Sequence, residues 1–414
     1  MPRSRRSSES EKSTTTCHSD LASRIAGVPQ RRDNDNPLWA GPSAPGPLGG
    51  ITQSMLVRFM SCRERFRLKY VCGLEPARKW NHRFGYGNMW HACEEALAAD
   101  VDPLLKLRMH TQHQCSQYPM QVEEICKWAN VCGVQFPEYV KYWSREPDVP
   151  NRTPLMQEQV FDVPYSLPSG RTVRLRGRWD SVDLIGGLPN PPSGVYLQEN
   201  KTKGDIDKQQ IERQLKFDLQ TMLYLVALHS QPHVPWINFN DPQHSDHATW
   251  SDEKTKAMFG KYPILGVRYN VVRRPLSGGK GSIKPHSAKS TKNTYTPAES
   301  AEQFYERLRA DYIAAEPDYW FFRVRAEISP RDVQVFCDTC LDPLLETLCY
   351  WYEVVVKGAG FAGYLPEPPP MNYRTPFGVY SALEEGGATE YDAYLETGSE
   401  AGLHRTEELF TELQ

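Results

Sequence analysis

Between residues 155 and 198 three β-type runs follow one another, "LMQEQVFDV", "RTVRLRGRWDSVDLI" and "GVYLQ", with only turn signals between them. Pro168, Ser169 and Gly170 supply the first turn, and a Gly/Pro/Asn stretch from 186 to 194 supplies the second. Helical periodicity lies on either side. Upstream, "FGYGNMWHACEEALAA" and "QVEEICKWANVCGVQFPEYVKYW" read as helices. Downstream, Ile211, Leu215, Leu219, Met222 and Val226 form one apolar stripe of an amphipathic helix. "PILGVRYNVVRR" and "YWFFRVRAEI" return to strand, Thr296 and Glu299 make a capping box, and Ser329-Pro330 opens a long helix to about residue 356. This order predicts an α/β chain with a mixed central sheet flanked by helices.

The third run does not end in a turn. "VYLQENKTKGD" passes straight from apolar residues into charge. Glu199 and Lys201, two apart on a strand, point to one face. Pairing across the 186–194 turn would bring Asp180, in "GRWDSVD", near Glu199. Two converging carboxylates repel unless a positive group lies between them. Magnesium or manganese, hard cations that take oxygen ligands, is the natural occupant. These three residues alone fit a solvated surface cluster as readily, so the rest of the chain has to decide.

Five segments decide it. "SMLVRFMSCRERFRLKYVCGL" reads as an opening helix with Leu56, Phe59, Phe66 and Tyr70 at helical spacing, Ser54 as cap and Gly73 as terminator. "GNMWHACEEAL", "GRWDSVDLI", "ENKTK" and "QTMLYLVAL" follow in order. Together they resemble the PD-(D/E)XK nuclease superfamily, in its RecB-like and phage-type exonuclease branch, over residues 51 to about 230. "YNVVRRP" extends the likeness more loosely to about 356. The resemblance implies a restriction-endonuclease-like core and a metal-dependent DNA nuclease, an exonuclease of phage-type or recombination and repair processing. The alternative is a catalytically silent DNA-binding relative.

By the same resemblance, Asp180, Glu199 and Lys201 are catalytic. His91, Asp180, Glu199 and the backbone carbonyl of Asn200 hold a magnesium or manganese ion. Gln220 and Tyr224, four apart on one helix face, support the site or contact substrate, together with Arg178, Lys203, Arg273 and Arg274. Glu158, in "MQEQVF", sits where the family often carries a Glu before the Asp strand, and a solvated strand residue is an equally good reading. Asp183, Glu94 and Glu95 rank below Asp180, as supporting or solvent-facing groups. Some relatives carry an iron–sulfur cluster. Here Cys62, Cys337, Cys340 and Cys349 lack the spacing, and Val333, Cys337, Cys340, Leu341, Leu344 and Leu348 form one helical stripe, so no cluster is expected. His229, His233, His244 and His247 have no tight ligand pair and read as loop residues.

Composition limits what else the chain can be. Its 414 residues, 39% hydrophobic and 24% charged, can bury a sizeable core. A net charge of -3 excludes a globally basic nucleic-acid binder, so any DNA surface has to be local. Residues 254–298 hold ten Lys or Arg and no Asp or Glu, and "RTVRLRGR" sets four arginines close to Asp180. DNA is the expected partner, with a helicase or single-strand annealing protein for any coupling to unwinding, since the chain has no helicase motif. Ten scattered cysteines favour reduced thiols and a cytoplasmic setting, and no apolar run approaches the roughly 20 residues of a membrane span. Residues 1–50 read as a disordered tail. Residues 51–358 read as the nuclease-like domain, interrupted by a polar loop at 229–262 and a flexible basic loop at 275–295. Residues 359–414 read as a Pro/Gly-rich, then acidic, tail.

Overall fold

The computed structural model describes residues 37–61, 63–76, 79–146, 151–186, 193–215, 217–230, 262–275, 282–285, 293–296, 301–306, 308–357, 403–410 and 413. The chain divides into two compact units, one of residues 78–343 with 412–414 and one of residues 1–77 with 344–411.

The larger unit is built on a five-stranded sheet whose spatial order is its chain order. The strands are β1 (Arg152–Ser166), β2 (Thr172–Ile185), β3 (Gly194–Lys203), β4 (Ile264–Arg273) and β5 (Phe321–Glu327). β1, β2 and β3 pair antiparallel in succession, β3 pairs parallel to β4, and β4 pairs antiparallel to β5. The β1–β2 hairpin closes at Gly170, whose φ of +82° suits a residue without Cβ. At that end the two strands bury alternate residues: Phe161, Val163, Val173 and Leu175 are inside, while Asp162, Pro164 and Thr172 are exposed. β3 is buried continuously from Gly194 to Asn200, as a central strand should be. Its parallel partner can be reached only by a crossover, which carries α4 (Lys208–Leu215) and α5 (Leu219–His229).

Upstream of the sheet come α1 (His82–Ala98), α2 (Pro103–Gln117) and α3 (Val122–Trp143). Trp90 of α1 packs edge-on to Phe136 of α3 at 5.0 Å, and Tyr139 of α3 meets Phe321 of β5 at 5.6 Å. Aromatic burial of this kind supplies much of the core energy. No helix among the described residues is long and apolar enough to cross a membrane.

The observed elements differ from the sequence expectation in several places. The single amphipathic helix from Ile211 to Val226 is two helices, because Asp218 caps a new start by accepting from the Thr221 N–H at 2.9 Å. The run after Ser329 consists of consecutive helical pieces, Pro330–Phe336, Cys337–Leu341, Asp342–Trp351 and Tyr352–Val356, of which the second and fourth are π-type. That change of pitch breaks the expected cysteine stripe: Cys337 is buried and Cys340 exposed. Within the expected basic loop, Ser282–Pro285 and Asn293–Thr296 pair as short antiparallel strands. Most of both predicted loops, Glu299 of the expected capping box, Cys62, His233, His244 and His247 lie outside the described residues.

The smaller unit holds the opening helix, Gln53–Ser61, followed by Arg63–Phe66 and a π-turn ending before Gly73, which has φ +68°. Thr52 rather than Ser54 caps it, accepting from the Met55 N–H. Leu56, Phe59, Phe66 and Tyr70 are all buried. Residues 37–50, expected in the tail, carry turn structure with Trp39 fully buried against Phe66 and Tyr352. Leu403–Arg405 pairs with Leu74–Pro76, so this unit also draws on the expected C-terminal tail.

Candidate active site

The β2–β3 ladder runs from Ile185↔Gly194 to Ser181↔Gln198. One rung further it would set Asp180 beside Glu199, and there the ladder stops. Asp180 takes the place of a strand carbonyl: its Oδ2 accepts from the Asn200 N–H at 2.7 Å. On the other side of β2, Gln157 pairs with Ser181 and Gln159 with Trp179, so Glu158 lies opposite Asp180. Glu158, Asp180 and Glu199 therefore form a row of carboxylates across three neighbouring strands. Glu158 reaches its place at φ +45°, a left-handed conformation that costs a residue with a side chain about 1–3 kcal/mol.

Cations surround the row. His91, on the half-exposed face of α1, sets Nδ1 3.2 Å from Glu158 Oε1 and 3.8 Å from Asp180 Oδ1. Burial would depress this imidazole, but Asp180 and Glu158 outweigh it and lift its pKa to about 9. Arg178 Nε lies 3.2 Å from Glu158 Oε2. Lys201 Nζ lies 2.9 Å from Glu199 Oε2, and the Gln220 amide donates to the same oxygen at 3.1 Å. Burial opposes the Lys201 charge, yet Glu199 and Asp180 prevail and raise its pKa. The two partners are not symmetric. Glu199 is fully buried, and burial reinforced by Asp180 lifts it to about 8 against the pull of Lys201. His91, Arg178 and Lys201 match the three carboxylates in formal charge.

Glu199 Oε1 is buried with no hydrogen-bond partner. An unpaired carboxylate oxygen is expensive to bury. Next along the row from Glu199, Asp180 forms with His91 and Glu158 a group whose ligand atoms all lie within 4.8 Å of one another, a group that does not itself include Glu199. Three carboxylates and one imidazole make a donor set that fits a divalent cation accepting oxygen and nitrogen ligands.

Residues 51–341 match the family model of the PD-(D/E)XK nuclease superfamily. The chain belongs to that superfamily. No curated protein matches it.

The superfamily's sequence landmarks have local physical reasons. The Gly of "GRWD", Gly177, faces Phe161 so closely that a Cβ would stand 2.4 Å from its ring and 3.0 Å from the Tyr224 ring. Only glycine fits there. The Gly of "GNMWH", Gly87, is different: a Cβ would meet Thr202 Oγ1 at 3.5 Å, an ordinary contact. Tyr224 is buried with its ring edge-on to Phe161 at 5.3 Å, and its carbonyl accepts from Trp179 Nε1. Asn200 is held from behind, because Asn270 Nδ2 donates to its side-chain oxygen at 2.9 Å and Arg323 Nε donates to Asn270 at 2.5 Å.

The basic residues expected to meet substrate divide. Arg178 is engaged with Glu158, and Lys203 lies 6.0 Å from the Tyr269 ring. Arg273 is committed internally, donating to the Tyr319 and Gly204 carbonyls and pairing with Asp205 at 3.1 Å. Arg274 is buried against Trp128, without a carboxylate partner among the described residues. Asp183 is neither solvent-facing nor in the row; it is fully buried, with Arg152 Nε at 2.8 Å and the Ser181 hydroxyl donating at 2.6 Å. Glu158 is the residue that sequence reasoning left open. Its signal was available in the hairpin, since Glu158 and Asp180 lie equally far from Ser169 in the turn.

Proposed function

We propose that the chain is a divalent-metal-dependent deoxyribonuclease that hydrolyses phosphodiester bonds. The observation that carries this reading is the buried Glu199 with an unpaired oxygen beside the His91–Glu158–Asp180 cluster. His91, Asp180, Glu199 and the Asn200 carbonyl would hold magnesium or manganese, with Glu158 as a further oxygen donor. Such an ion supplies a water of lowered pKa and positive charge for the phosphoryl oxygens.

The protein groups have separate tasks. Gln220 and Lys201 both hold Glu199 Oε2, which leaves Oε1 without a partner of its own. Lys201 stays protonated because of its carboxylate neighbours, so it acts as a fixed positive charge and not as a base. It orients the attacking water and stabilises charge that grows on phosphate oxygens. Arg178 fixes Glu158, and Tyr224 fixes α5, which carries Gln220, against Phe161. The resemblance to phage-type members favours an exonuclease of recombination or repair.

The test compares cleavage of linear and covalently closed DNA, with magnesium or manganese, by wild type and Lys201→Ala. Wild type should cut only with metal, and cut linear DNA preferentially. Loss of a preorganised charge should lower kcat by about a hundredfold or more, with circular dichroism and thermal melting showing that the variant is folded. A folded Lys201→Ala protein that cuts at the wild-type rate would remove the basis of the proposal.

A further inference from the structure

Two aromatic side chains stand out by their exposure and their place. Among the described residues Phe217 is 83% exposed and Phe84 is 72% exposed, more than any other tyrosine or phenylalanine there. Single exposed apolar residues need no explanation, but these two flank one site. Phe217 immediately precedes Asp218, the cap of α5, and Gln220 in the first turn of that helix touches Glu199. Phe84 lies on the same face of α1 as His91, seven residues or two turns earlier. On α1 the open or half-open positions from Phe84 to His91 are Phe84, Gly87, Asn88 and His91, while Gly85, Tyr86, Met89 and Trp90 are buried. Gly87 adds no side chain to this stripe and sits beside Thr202, between Lys201 and Lys203.

A path thus leads from the carboxylate row along α1 to an exposed ring about 10 Å away, at 1.5 Å per helical residue. That distance is about three stacked base steps of 3.4 Å. The far end of the path is positive. Arg83 adjoins Phe84, α1 has no acidic residue in its first turn, and neither Arg83 nor Arg274 has a carboxylate partner among the described residues. The two guanidiniums sit close enough that Arg83, after burial, helps to depress Arg274. An exposed, unneutralised Arg83 beside a solvent-held aromatic, with the Arg274 charge behind it, suits a polyanion with π-faces, which is a nucleic-acid strand with its bases unstacked from a complement.

We propose that Phe84 and Phe217 are nucleobase-stacking side chains, so that the strand held by the site is single where it meets them. This rests on the nuclease reading above and narrows its substrate to single-stranded DNA or an unpaired end. A paired blunt duplex keeps its interior bases stacked on one another and opens a π-face only at its terminal pairs.

The full-length Lys201→Ala protein with magnesium allows binding to be read without turnover. Its affinity is measured for a single-stranded oligonucleotide carrying 2-aminopurine and for the blunt duplex of the same sequence. Single-strand binding should be the tighter of the two. Adding Phe84→Ala or Phe217→Ala should weaken it by roughly 5- to 100-fold each, the loss of one base–aromatic stack. Phe84→Trp should restore binding and quench the 2-aminopurine, which a purely structural role would not do. Equal affinity for duplex and single strand, or alanine variants that bind within twofold of their parent, would overturn the proposal. If wild type cuts with metal while the alanine variants bind unchanged, this inference fails and the nuclease reading stands. If wild type neither cuts nor binds, both fall together.

Discussion

Metal binding at the carboxylate row should expel close to two protons at neutral pH. The perturbation is titration of the metal-free protein with manganese or magnesium, and the magnitude follows from two side chains. Without metal, His91 titrates near 9 and Glu199 near 8. At pH 7, His91 is then about 99% protonated and Glu199 about 90%. Both groups must lose the proton to act as ligands, so roughly 1.9 protons leave per ion bound. At pH 9 the same sum falls to roughly 0.6. By linkage, apparent metal affinity should rise almost a hundredfold per pH unit around pH 7 and much less steeply above 9.

Calorimetry in buffers of differing ionisation enthalpy reads the proton count directly. His91→Ala should lower it by about one and Glu199→Gln by about one. A count near zero for wild type at pH 7, or an affinity flat from pH 6 to 8, would refute the reasoning. The same two shifts fix the sign of a stability effect. Both groups bind protons more tightly folded than unfolded, so metal-free stability is fully present below the unfolded values and is lost as pH rises through 8 and 9. The window opens at the ordinary 4.5 of a glutamate and closes past His91. Metal should raise Tm most at the alkaline end of that window.

Other expectations test the scaffold. Gly177→Ala should cost about 1–3 kcal/mol, since its methyl meets the Phe161 ring, whereas Gly87→Ala should stay within about 0.5 kcal/mol; chemical denaturation compares them. Asn270→Leu removes the amide between Asn200 and Arg323, and should cost about 2–3 kcal/mol and weaken metal binding. Asn270→Ser, which keeps a hydroxyl, should recover part of both.

Much of the site was legible because its parts obey local rules. "ENKTK" announced a strand ending in charge, and strand periodicity put Glu199 and Lys201 together, 2.9 Å apart in the structure. The helical spacing of "QTMLYLVAL" put Gln220 and Tyr224 on one face, and the structure sets the Gln220 amide 3.1 Å from Glu199. What escaped was non-local or lay between elements. Glu158 depends on hairpin register and on a left-handed backbone that no propensity favours. The division into α4 and α5 depends on Asp218 winning as a cap over an apolar stripe that runs through it. The resemblance makes Arg273 and Arg274 expected substrate ligands, and what the sequence does not show is that Arg273 also pairs with Asp205 and donates to two carbonyls.

The end of the β2–β3 ladder explains why these groups meet at all. A continuing ladder would use the Asn200 N–H in sheet pairing; instead it goes to the Asp180 carboxylate. That single exchange sets a carboxylate of β2 beside the stretch of β3 that carries Glu199 and Lys201. Behind the row, Asn270 and Arg323 tie Asn200 of β3 to β4 and β5. His91, Arg178 and Lys201 hold the row in front as those amides hold it behind. Filling the row with a cation should displace the His91 proton without moving the strands, since the buried amide chain is complete before any ion arrives.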